Sequence, residues 1–294
     1  MAFEPAGRYR CDVAIPVSIS STLKPAVHVG SLLREWRAAR RLSQLDFALE
    51  AGVSARHLSY VETGKAQPSR DMILRLADTL AMPLRERNAL LMAAGYAPLY
   101  PETSLGTPEL AQVRRAIELI LEHQEPYPAF VLNRCWDMVL TNRAATRFVN
   151  FLRGGSAHAN MMRQIFDPND VRAFVVNWEE VAGDLIRHLH DVIAASPSDA
   201  RAGALLEEVL GYPGVPSQWR TRELGAAPPP LLTVVFRKDN QEVRFFSTIA
   251  TFGTPRDVTL DELRIECCFP ADDATAEFCR RLAREDADAG KKME

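Results

Sequence analysis

Polar side chains on one short predicted helix, Ala55–Glu62, have the types and spacing that read DNA. Arg56 and Tyr60 lie one helical turn apart, on the face opposite the apolar pair Leu58 and Val61. A guanidinium can donate two hydrogen bonds to guanine O6 and N7, so Arg56 is the strongest candidate for a base contact. The pattern therefore predicts a helix that enters the DNA major groove.

More side chains around this helix are candidates for contact with DNA. Ala55 could touch a thymine methyl group, and Tyr60 could reach a base or a phosphate. Gln44 begins the preceding helix, where an amide side chain and the helix N-terminus both favour a phosphate. The predicted DNA-binding set is Ser43, Gln44, Ser54, Ala55, Arg56, His57, Ser59, Tyr60, Thr63, Lys65 and Arg70.

Two short helices joined by a tight turn must hold these side chains in place. Ser43 is a typical N-cap residue for a helix over Gln44–Ala51, which Gly52 ends. Ser54 is the corresponding N-cap for the helix over Ala55–Glu62. This succession of cap, helix, turn, cap and helix predicts a helix-turn-helix.

Three further helices complete a compact all-α domain of five helices. We expect them at Val29–Arg41, after an N-cap at Ser69, and over about Leu84–Ala94. Arg37 of the first helix and Glu62 of the third could form a partly buried ion pair. Such a pair would be structural, because it would tie two helices together.

Net charge favours this interpretation only weakly. Val29–Pro98 has ten Lys and Arg residues against seven Asp and Glu, so it carries +3 in a chain of net charge −3. The alternative is a small helical bundle without a nucleic-acid role, because any amphipathic helix has a polar face. In either case Leu45, Ala48 and Leu49 are expected to point into the core. The caps combined with Gly52 favour DNA binding.

Four motifs of this segment closely resemble the Cro/C1-type (XRE) helix-turn-helix family. They are Ser43-Gln44-Leu45, Gly52-Val53-Ser54, Val61-Glu62-Thr63-Gly64-Lys65 and Pro68-Ser69, all within Val29–Met82. The resemblance implies a structural role for the pair Arg37 and Glu62, and binding of a pseudo-palindromic DNA operator by a homodimer. The positions for which it implies DNA contact are Gln44, Ala55, Arg56 and Tyr60.

The rest of the chain predicts a second domain of α+β structure, in which helices surround a sheet of about five strands. Ala129–Thr141 alternates around a turn at Asn133–Arg134, as a β-hairpin does. Helices are expected at Glu109–His123, Asn142–Leu152, Val171–Ala194, Ala200–Leu210 and Ala274–Arg284. Further strands are expected at Leu231–Arg237, Val243–Phe252 and Leu263–Phe269.

Composition shifts divide the chain into five parts. The predicted boundaries are a flexible N-terminal arm at 1–28, the helix-turn-helix domain at 29–97, a linker at 98–108, the α+β domain at 109–285 and a charged tail at 286–294. The linker is assigned because it contains three prolines. The fold class is therefore multi-domain.

The second domain resembles the ligand-binding domain of MmyB-like bacterial regulators over about Glu109–Leu282. The resemblance is carried by the run from Tyr127 to Ala145, by Asn177-Trp178 and by the helix that contains Leu205 and Leu210. It implies a PAS-like fold and a small apolar ligand, a fatty acid being the plausible type. The chain has Leu189-His190 where arginine is common in the family, so the ligand's identity stays open.

An apolar cavity between the sheet and its helical cover would hold such a ligand. An acyl ligand needs one buried polar or cationic group for its carboxylate, for which Arg134, His188 and His190 are candidates. The candidate lining residues are Phe130, Leu132, Trp136, Met138, Trp178, Phe236 and Phe246. The alternative is that these side chains simply fill the core.

Metal, redox and catalytic sites have little support. Asp184, His188 and Asp191 share a helix face, but an ion-paired surface is favoured over a metal site. Cys267 and Cys268 point to opposite faces of a strand, which favours structural thiols over a redox switch. The chain has no hydrolase elbow, phosphate loop, zinc-helix or Cys-x-x-Cys motif. No enzyme activity, cofactor or metal is therefore expected.

These observations predict a cytoplasmic, homodimeric transcriptional regulator with DNA and a small hydrophobic ligand as partners. Repression is favoured over activation because steric occlusion needs no contact with the polymerase. The alternatives are a second domain that serves only for assembly, and an enzyme fused to a DNA-targeting head. No membrane partner is expected, because no apolar run approaches the ~20 residues that span a bilayer.

Overall fold

The computed structural model describes residues 28–196, 200–221 and 230–291. Except for His28, the arm predicted at 1–28 lies outside these residues. The first domain is helical. Its helices are α1 (Val29–Ala39), α2 (Gln44–Glu50), α3 (Ala55–Glu62), α4 (Arg70–Thr79) and α5 (Leu84–Ala93).

The apolar stripes of these helices meet in one core. Leu33 and Trp36 of α1, Phe47 of α2, Leu58 of α3 and Ile73 of α4 are almost fully buried. Burying a side chain of this size stabilises a fold by about 1.5–3 kcal/mol. The core therefore fixes how α2 and α3 are held against α1.

A five-stranded antiparallel sheet forms the centre of the second domain. The strands are β1 (Ala129–Leu132), β2 (Met138–Thr141), β3 (Val234–Lys238), β4 (Gln241–Ala250) and β5 (Arg264–Pro270). Their order in the sheet is β2-β1-β5-β4-β3, so the first and last strands in the chain pair in the middle.

Helices pack on both faces of this sheet. Ile117 and Leu121 of the helix Ala111–His123 cover Val131 and Ile265 on one face. The other helices bury a larger cluster on the opposite face. The helices are α6 (Ala111–His123), α7 (Arg143–Arg153), α8 (Met161–Phe166), α9 (Trp178–Ala195), α10 (Ala200–Leu210), α11 (Val258–Glu262) and α12 (Asp273–Lys291). In the described parts of the chain, no helix has the length and apolar character needed to cross a membrane.

The predicted helix over Val171–Ala194 is wrong in its first turns. A short 3-10 helix ends at Phe174, and α9 begins only at Trp178. Between them the chain pairs with the edge of β3: Val176 N–H donates to the Val235 carbonyl at 2.8 Å, and the Asn177 side chain bonds to Val235 N–H at 3.0 Å. This edge pairing satisfies the backbone groups that a continuous helix would have used.

Two short helices escaped the sequence prediction. The last helix of the chain also extends further than the sequence predicts. Helices α8 and α11 have six and five residues, too few for an apolar period to show. Helix α12 continues to Lys291, into the tail predicted at 286–294. Asp286 there pairs with Arg147 of α7 at 3.1 Å.

Candidate functional site

The turn between α2 and α3 is built as the sequence predicts. Ser43 Oγ accepts a hydrogen bond from Asp46 N–H at 3.1 Å, and Ser54 Oγ accepts one from His57 N–H at 3.2 Å. Gly52 has φ +64°, a left-handed conformation that glycine adopts without a Cβ penalty. These contacts satisfy donors that each helix start would otherwise leave unpaired.

Close packing holds α1 against the end of α3. A Cβ on Gly30 would lie 2.5 Å from the carbonyl oxygens of Val61 and Glu62, so only glycine fits there. The prediction that Leu45 and Leu49 point inward is wrong, because these side chains are 58% and 70% exposed. Ala48 is buried as predicted, and the large core side chain of α2 is its neighbour Phe47.

The face of α3 turned away from the core presents the predicted base-reading residues. Arg56, His57 and Tyr60 are exposed, while Ala55 and Ser59 are half-buried. Arg56 Nε donates to Tyr60 Oη at 3.2 Å, and its guanidinium lies 5.5 Å from the centre of that ring. Among the described residues, no partner holds the terminal nitrogens of Arg56, so two donors remain available for a base edge.

The ion pair predicted between Arg37 and Glu62 is confirmed. Arg37 Nε and Nη2 donate to Glu62 Oε1 and Oε2 at 2.8 and 3.0 Å, and Glu62 is only 3% exposed. The hydrogen bonds to Glu62 raise the pKa of Arg37 above its usual value, despite the opposing effect of burial. Arg34 also donates to the Glu62 backbone carbonyl, at 2.6 Å. The pair joins α1 to the end of the candidate reading helix.

Gln44 has a different contact from the one that the sequence suggests. Its amide Nε2 donates to Glu62 Oε2 at 2.9 Å, and the residue is half-buried. The side chain therefore binds inside the domain in this structure. Its contact with a DNA phosphate stays a prediction, in which the second amide proton or the backbone N–H of Gln44 would take part.

The predicted phosphate contacts beyond α3 lie on an exposed segment. Thr63, Lys65 and Arg70 are all exposed between the end of α3 and the start of α4. Thr63 Oγ1 donates to the Ser59 carbonyl at 2.7 Å, which closes the last turn of α3. Together with Arg56, the segment carries three exposed positive charges, on Arg56, Lys65 and Arg70.

Six of the seven predicted ligand-lining residues belong to one cluster in the second domain. Leu132 and Trp136 are buried in it, and the partly buried members are Phe130, Met138, Trp178 and Phe236. Phe246 does not join them. It lies next to Phe245 of this cluster but stacks on Phe269, on the opposite face of the sheet, at 5.6 Å. Successive side chains of a strand alternate between faces, which separates the two phenylalanines.

Packing contacts account for much of this aromatic cluster. Trp178 Nε1 donates to the Ile165 carbonyl at 2.7 Å, and the Arg172 guanidinium lies 3.6 Å from its ring centre. Burial lowers the pKa of Arg172. Trp136 meets the ring of His188 edge-on at 5.2 Å. Both tryptophan side chains therefore already contact other protein groups.

A cavity of about 10 Å³ borders the cluster, which is room for one water molecule at most. Its lining is Pro126, Pro128, Ala144, Arg147, Phe148, Cys279 and Leu282. Small-molecule sites usually have about 300–1,000 Å³. A ligand of fatty-acid size could therefore enter this cavity only if surrounding side chains moved.

The three candidates for a carboxylate partner lie apart. Arg134 is only 12% exposed and lies 3.4 Å from Glu262. His188 is exposed, and a ring nitrogen of His190 is 2.9 Å from the Trp219 carbonyl. None of these contacts gathers them into one binding group.

A half-buried acid on the sheet escaped the sequence analysis. Glu266 pairs with Phe130 across β1 and β5, and alternation places both on the face of the large cluster. Burial raises the pKa of Glu266, and a hydrogen bond from Ser247 Oγ at 2.7 Å opposes that rise. An acid directly before two cysteines in a strand is the only sequence signal that could have drawn attention to it.

The metal and redox alternatives gain no support from the described residues. Asp184 pairs with Arg187 at 2.8 Å, and no group of three or more His, Cys, Asp or Glu in the described segments could hold a metal ion. Cys267 and Cys268 belong to the clusters on opposite faces of the sheet. Burial raises the pKa of both thiols, whereas reactive cysteines have lowered values.

Comparisons with known proteins agree with this arrangement. Residues 28–90 match a family model described as a helix-turn-helix domain. Residues 113–282 match the model described as the MmyB-like transcription regulator ligand binding domain. No curated protein matches the chain. The first match covers the segment that carries Arg56, and the second covers the whole sheet.

Proposed function

The chain belongs to the MmyB-like transcription regulator family, and we propose that it is a cytoplasmic, homodimeric repressor that binds a pseudo-palindromic operator. The helix-turn-helix makes it a DNA-binding regulator. One observation carries the sequence-specific part of the proposal. Arg56 lies exposed on a capped helix whose other face is buried, with terminal nitrogens free of partners among the described residues.

Electrostatics support a docking mode in which α3 lies in the major groove. Arg56 would bind guanine O6 and N7, and Tyr60 would orient it through the 3.2 Å hydrogen bond to Nε. Lys65 and Arg70 would contact phosphates on either side and so set the register. Repression follows from occupancy of a promoter, which needs no further contact.

In vitro selection from a random DNA library, using the full chain, tests this function. We expect an enriched pseudo-palindrome with half-sites about one helical turn apart, and a complex of two chains on one duplex by native mass spectrometry. Enrichment of no sequence over random DNA would contradict the proposal. A single half-site bound by one chain would contradict the homodimer.

We also propose that the second domain is PAS-like and senses a small hydrophobic ligand. The antiparallel sheet with helices on both faces and the aromatic cluster around Trp136 and Trp178 support it. The ligand would displace side chains of that cluster, because the cavity that borders it at Phe148 and Cys279 is only about 10 Å³. Its effect on DNA binding would be limited by its differential affinity for two arrangements of the chain.

Native mass spectrometry of the freshly purified protein tests the ligand. One apolar molecule per chain, extracted and identified, would support a sensor. The small cavity favours a second function, in which the domain only assembles the dimer. A ligand-free dimer that also fails to bind a series of saturated fatty acids, followed by intrinsic tryptophan fluorescence, would favour this assembly role over the sensor.

A further inference from the structure

Helix α5 of the first domain is capped by the second domain. The backbone N–H of Leu84 donates to Asp261 Oδ2 at 3.1 Å, although the two residues are 177 positions apart. The residue at the N-cap of α5, Pro83, has no side-chain hydrogen bond to offer. A helix start leaves its first N–H groups without acceptors, so the carboxylate of Asp261 in α11 supplies what the local sequence lacks.

The neighbouring residue, Arg85, holds three segments together. Its Nε and Nη2 donate to the two carboxylate oxygens of Glu262 at 2.6 and 3.0 Å. Its Nη1 and Nη2 also donate to Glu102 of the linker, at 3.0 and 2.5 Å. These contacts raise the pKa of Arg85, and the hydrogen bond from Arg85 lowers the pKa of Glu102. Because Glu262 is only 15% exposed, its pair with Arg85 is less screened than a surface pair.

The linker is bound along α11 by backbone contacts. Val258 N–H donates to the Pro101 carbonyl at 2.8 Å, and Thr103 N–H donates to Asp257 Oδ2 at 3.1 Å. Asp257 is 6% exposed, and its other oxygen caps α11 itself through Thr259 N–H at 2.8 Å. The first domain, the linker and α11 thus form one contact region, which we call the interdomain joint.

The same carboxylate of Glu262 also contacts the interior of the second domain. Arg134 Nε lies 3.4 Å from Glu262 Oε1, the oxygen that Arg85 Nε binds. Arg134 is in the β1–β2 turn, two positions before Trp136, which has φ +59° and packs against His188 of α9. A short route therefore runs from the aromatic cluster through the turn to the DNA-reading domain.

We propose that the interdomain joint transmits the state of the second domain to the DNA-reading domain, with Glu262 as its coupling residue. Two arginines, one from each domain, share the Glu262 carboxylate. A displacement of Trp136 moves the turn that carries Arg134, and this changes how firmly Glu262 holds Arg85 and the start of α5. The inference deepens the proposed function and rests on it for its biological meaning, while the joint itself can be tested without DNA or ligand.

Hydrogen exchange of the full chain, followed by mass spectrometry, tests the joint. We expect peptides that cover residues 84–88 and 100–104 to exchange at least about fivefold faster in Glu262→Ala than in the wild type. Arg134→Ala, a substitution within the second domain, should speed exchange at 84–88 as well. Glu208→Ala is the matched control, because Glu208 forms an equally close bidentate pair with Arg163, at 2.6 and 2.8 Å, inside the second domain.

Exchange at residues 84–88 that is unchanged in Glu262→Ala would overturn the joint. Exchange that quickens in Glu262→Ala but not in Arg134→Ala would overturn the coupling route through the turn. If Glu262→Ala loosens the whole second domain, Glu102→Ala decides, since it removes only the linker side of the Arg85 contact. Faster exchange confined to 84–88 and 100–104 in that variant supports the joint, and unchanged exchange counts against it.

Operator spacing gives the functional readout. On the operator selected by the wild type, an insertion of two base pairs between the half-sites should weaken wild-type binding strongly, because the joint fixes the position of each DNA-reading domain. Glu262→Ala should reduce that penalty at least about fivefold and leave binding to an isolated half-site unchanged. An equal penalty in both proteins would overturn the role in coupling. Failure of the wild type to select any DNA would instead contradict the proposed function, and the exchange result would still decide the joint.

Discussion

Arg37 and Glu62 are 25 positions apart in the chain and meet in a bidentate ion pair behind the candidate reading helix. The Gln44 amide donates to the same carboxylate, at 2.9 Å. Glu62 therefore joins the first three helices through one buried group. Because α3 ends at Glu62, this group sets the angle at which Arg56 and Tyr60 face outward.

Removal of Arg37 should destabilise the first domain strongly. Arg37→Ala leaves the Glu62 carboxylate buried without its cation, which costs about 3–5 kcal/mol for a pair of this kind. Because the Arg37 side chain is 17% exposed, we expect the lower end, about 3 kcal/mol, in the free energy of unfolding from urea titration. Arg114→Ala, which breaks an exposed i,i+4 pair with Glu118, should change it by less than about 0.5 kcal/mol. Equal losses in the two variants would contradict this prediction.

Gly30 and Gly203 should respond in opposite directions to alanine. A Cβ at Gly30 would lie 2.5 Å from two backbone carbonyl oxygens of α3, whereas one at Gly203 in α10 would meet nothing within 4 Å. Gly30→Ala should lower the free energy of unfolding by about 1–3 kcal/mol, because the added methyl group overpacks the contact. Gly203→Ala should raise it by about 0.4–1 kcal/mol, because alanine favours the helix. Calorimetry of the two variants checks the signs.

Loss of Arg56 should relax sequence specificity at one base pair. Arg56→Ala removes the bidentate donor, so binding to the selected operator should weaken by about 1–3 kcal/mol. Binding to operators altered at the contacted position should then become nearly equal. Fluorescence anisotropy with a panel of single-base variants measures both effects. A loss of the same size on random DNA would show that Arg56 contacts phosphate instead.

Lys65 should contribute to all DNA sequences alike. Lys65→Ala removes one positive charge from the exposed segment after α3, and this should reduce the slope of log K against log salt by roughly one. Affinity titrations on operator and random DNA at several salt concentrations give that slope. An operator-only loss with an unchanged slope would be at odds with a phosphate contact.

Glu266 should make stability depend on pH in an unusual direction. Burial raises its pKa in the folded chain, so it favours folding fully below its unfolded pKa of about 4.3 and loses that contribution as the pH rises through its folded pKa. Between the unfolded and the folded pKa, each pH unit lowers the free energy of unfolding by about 1.4 kcal/mol. Glu266→Gln keeps the shape of the neutral acid, so its stability advantage over the wild type should grow as the pH rises from 4 to 7.

Glu208 provides the contrasting case for this titration. Its hydrogen bond from Arg163 lowers its pKa, so its contribution is present above the unfolded pKa and is lost as the pH falls. Glu208→Gln should therefore be slightly less stable than the wild type at neutral pH and equally stable in acid. Unfolding titrations of both variants from about pH 2 to pH 7 measure the slopes, because the lowered pKa of Glu208 places its loss below the unfolded value of about 4.3. Parallel curves for Glu266→Gln and the wild type would mean that Glu266 has an ordinary pKa in the folded chain.

The sequence alone determined the elements of the DNA-reading half. Ser43, Gly52 and Ser54 act within three or four residues of their own positions, so their cap and turn signals are complete in a short window. The apolar period placed Leu58 and Val61 in the core for the same reason. In α2 the sequence placed Ala48 correctly but not its neighbours: Leu45 and Leu49 were expected inside and are exposed, while Phe47 joins Ala48 in the core.

Contacts between distant segments were decided only by the tertiary structure. The Gln44 amide binds Glu62 instead of facing outward, and Phe246 lies on the other face of the sheet from Phe245 and the aromatic cluster. The interdomain joint depends on Asp261 and Glu262, in a helix of five residues that has no periodic signal. Caps and periodicity act over a few residues, whereas ion pairs such as Arg85 with Glu262 join groups 177 positions apart. Such pairs form only after packing has brought the segments together, so the sequence around either partner does not reveal them.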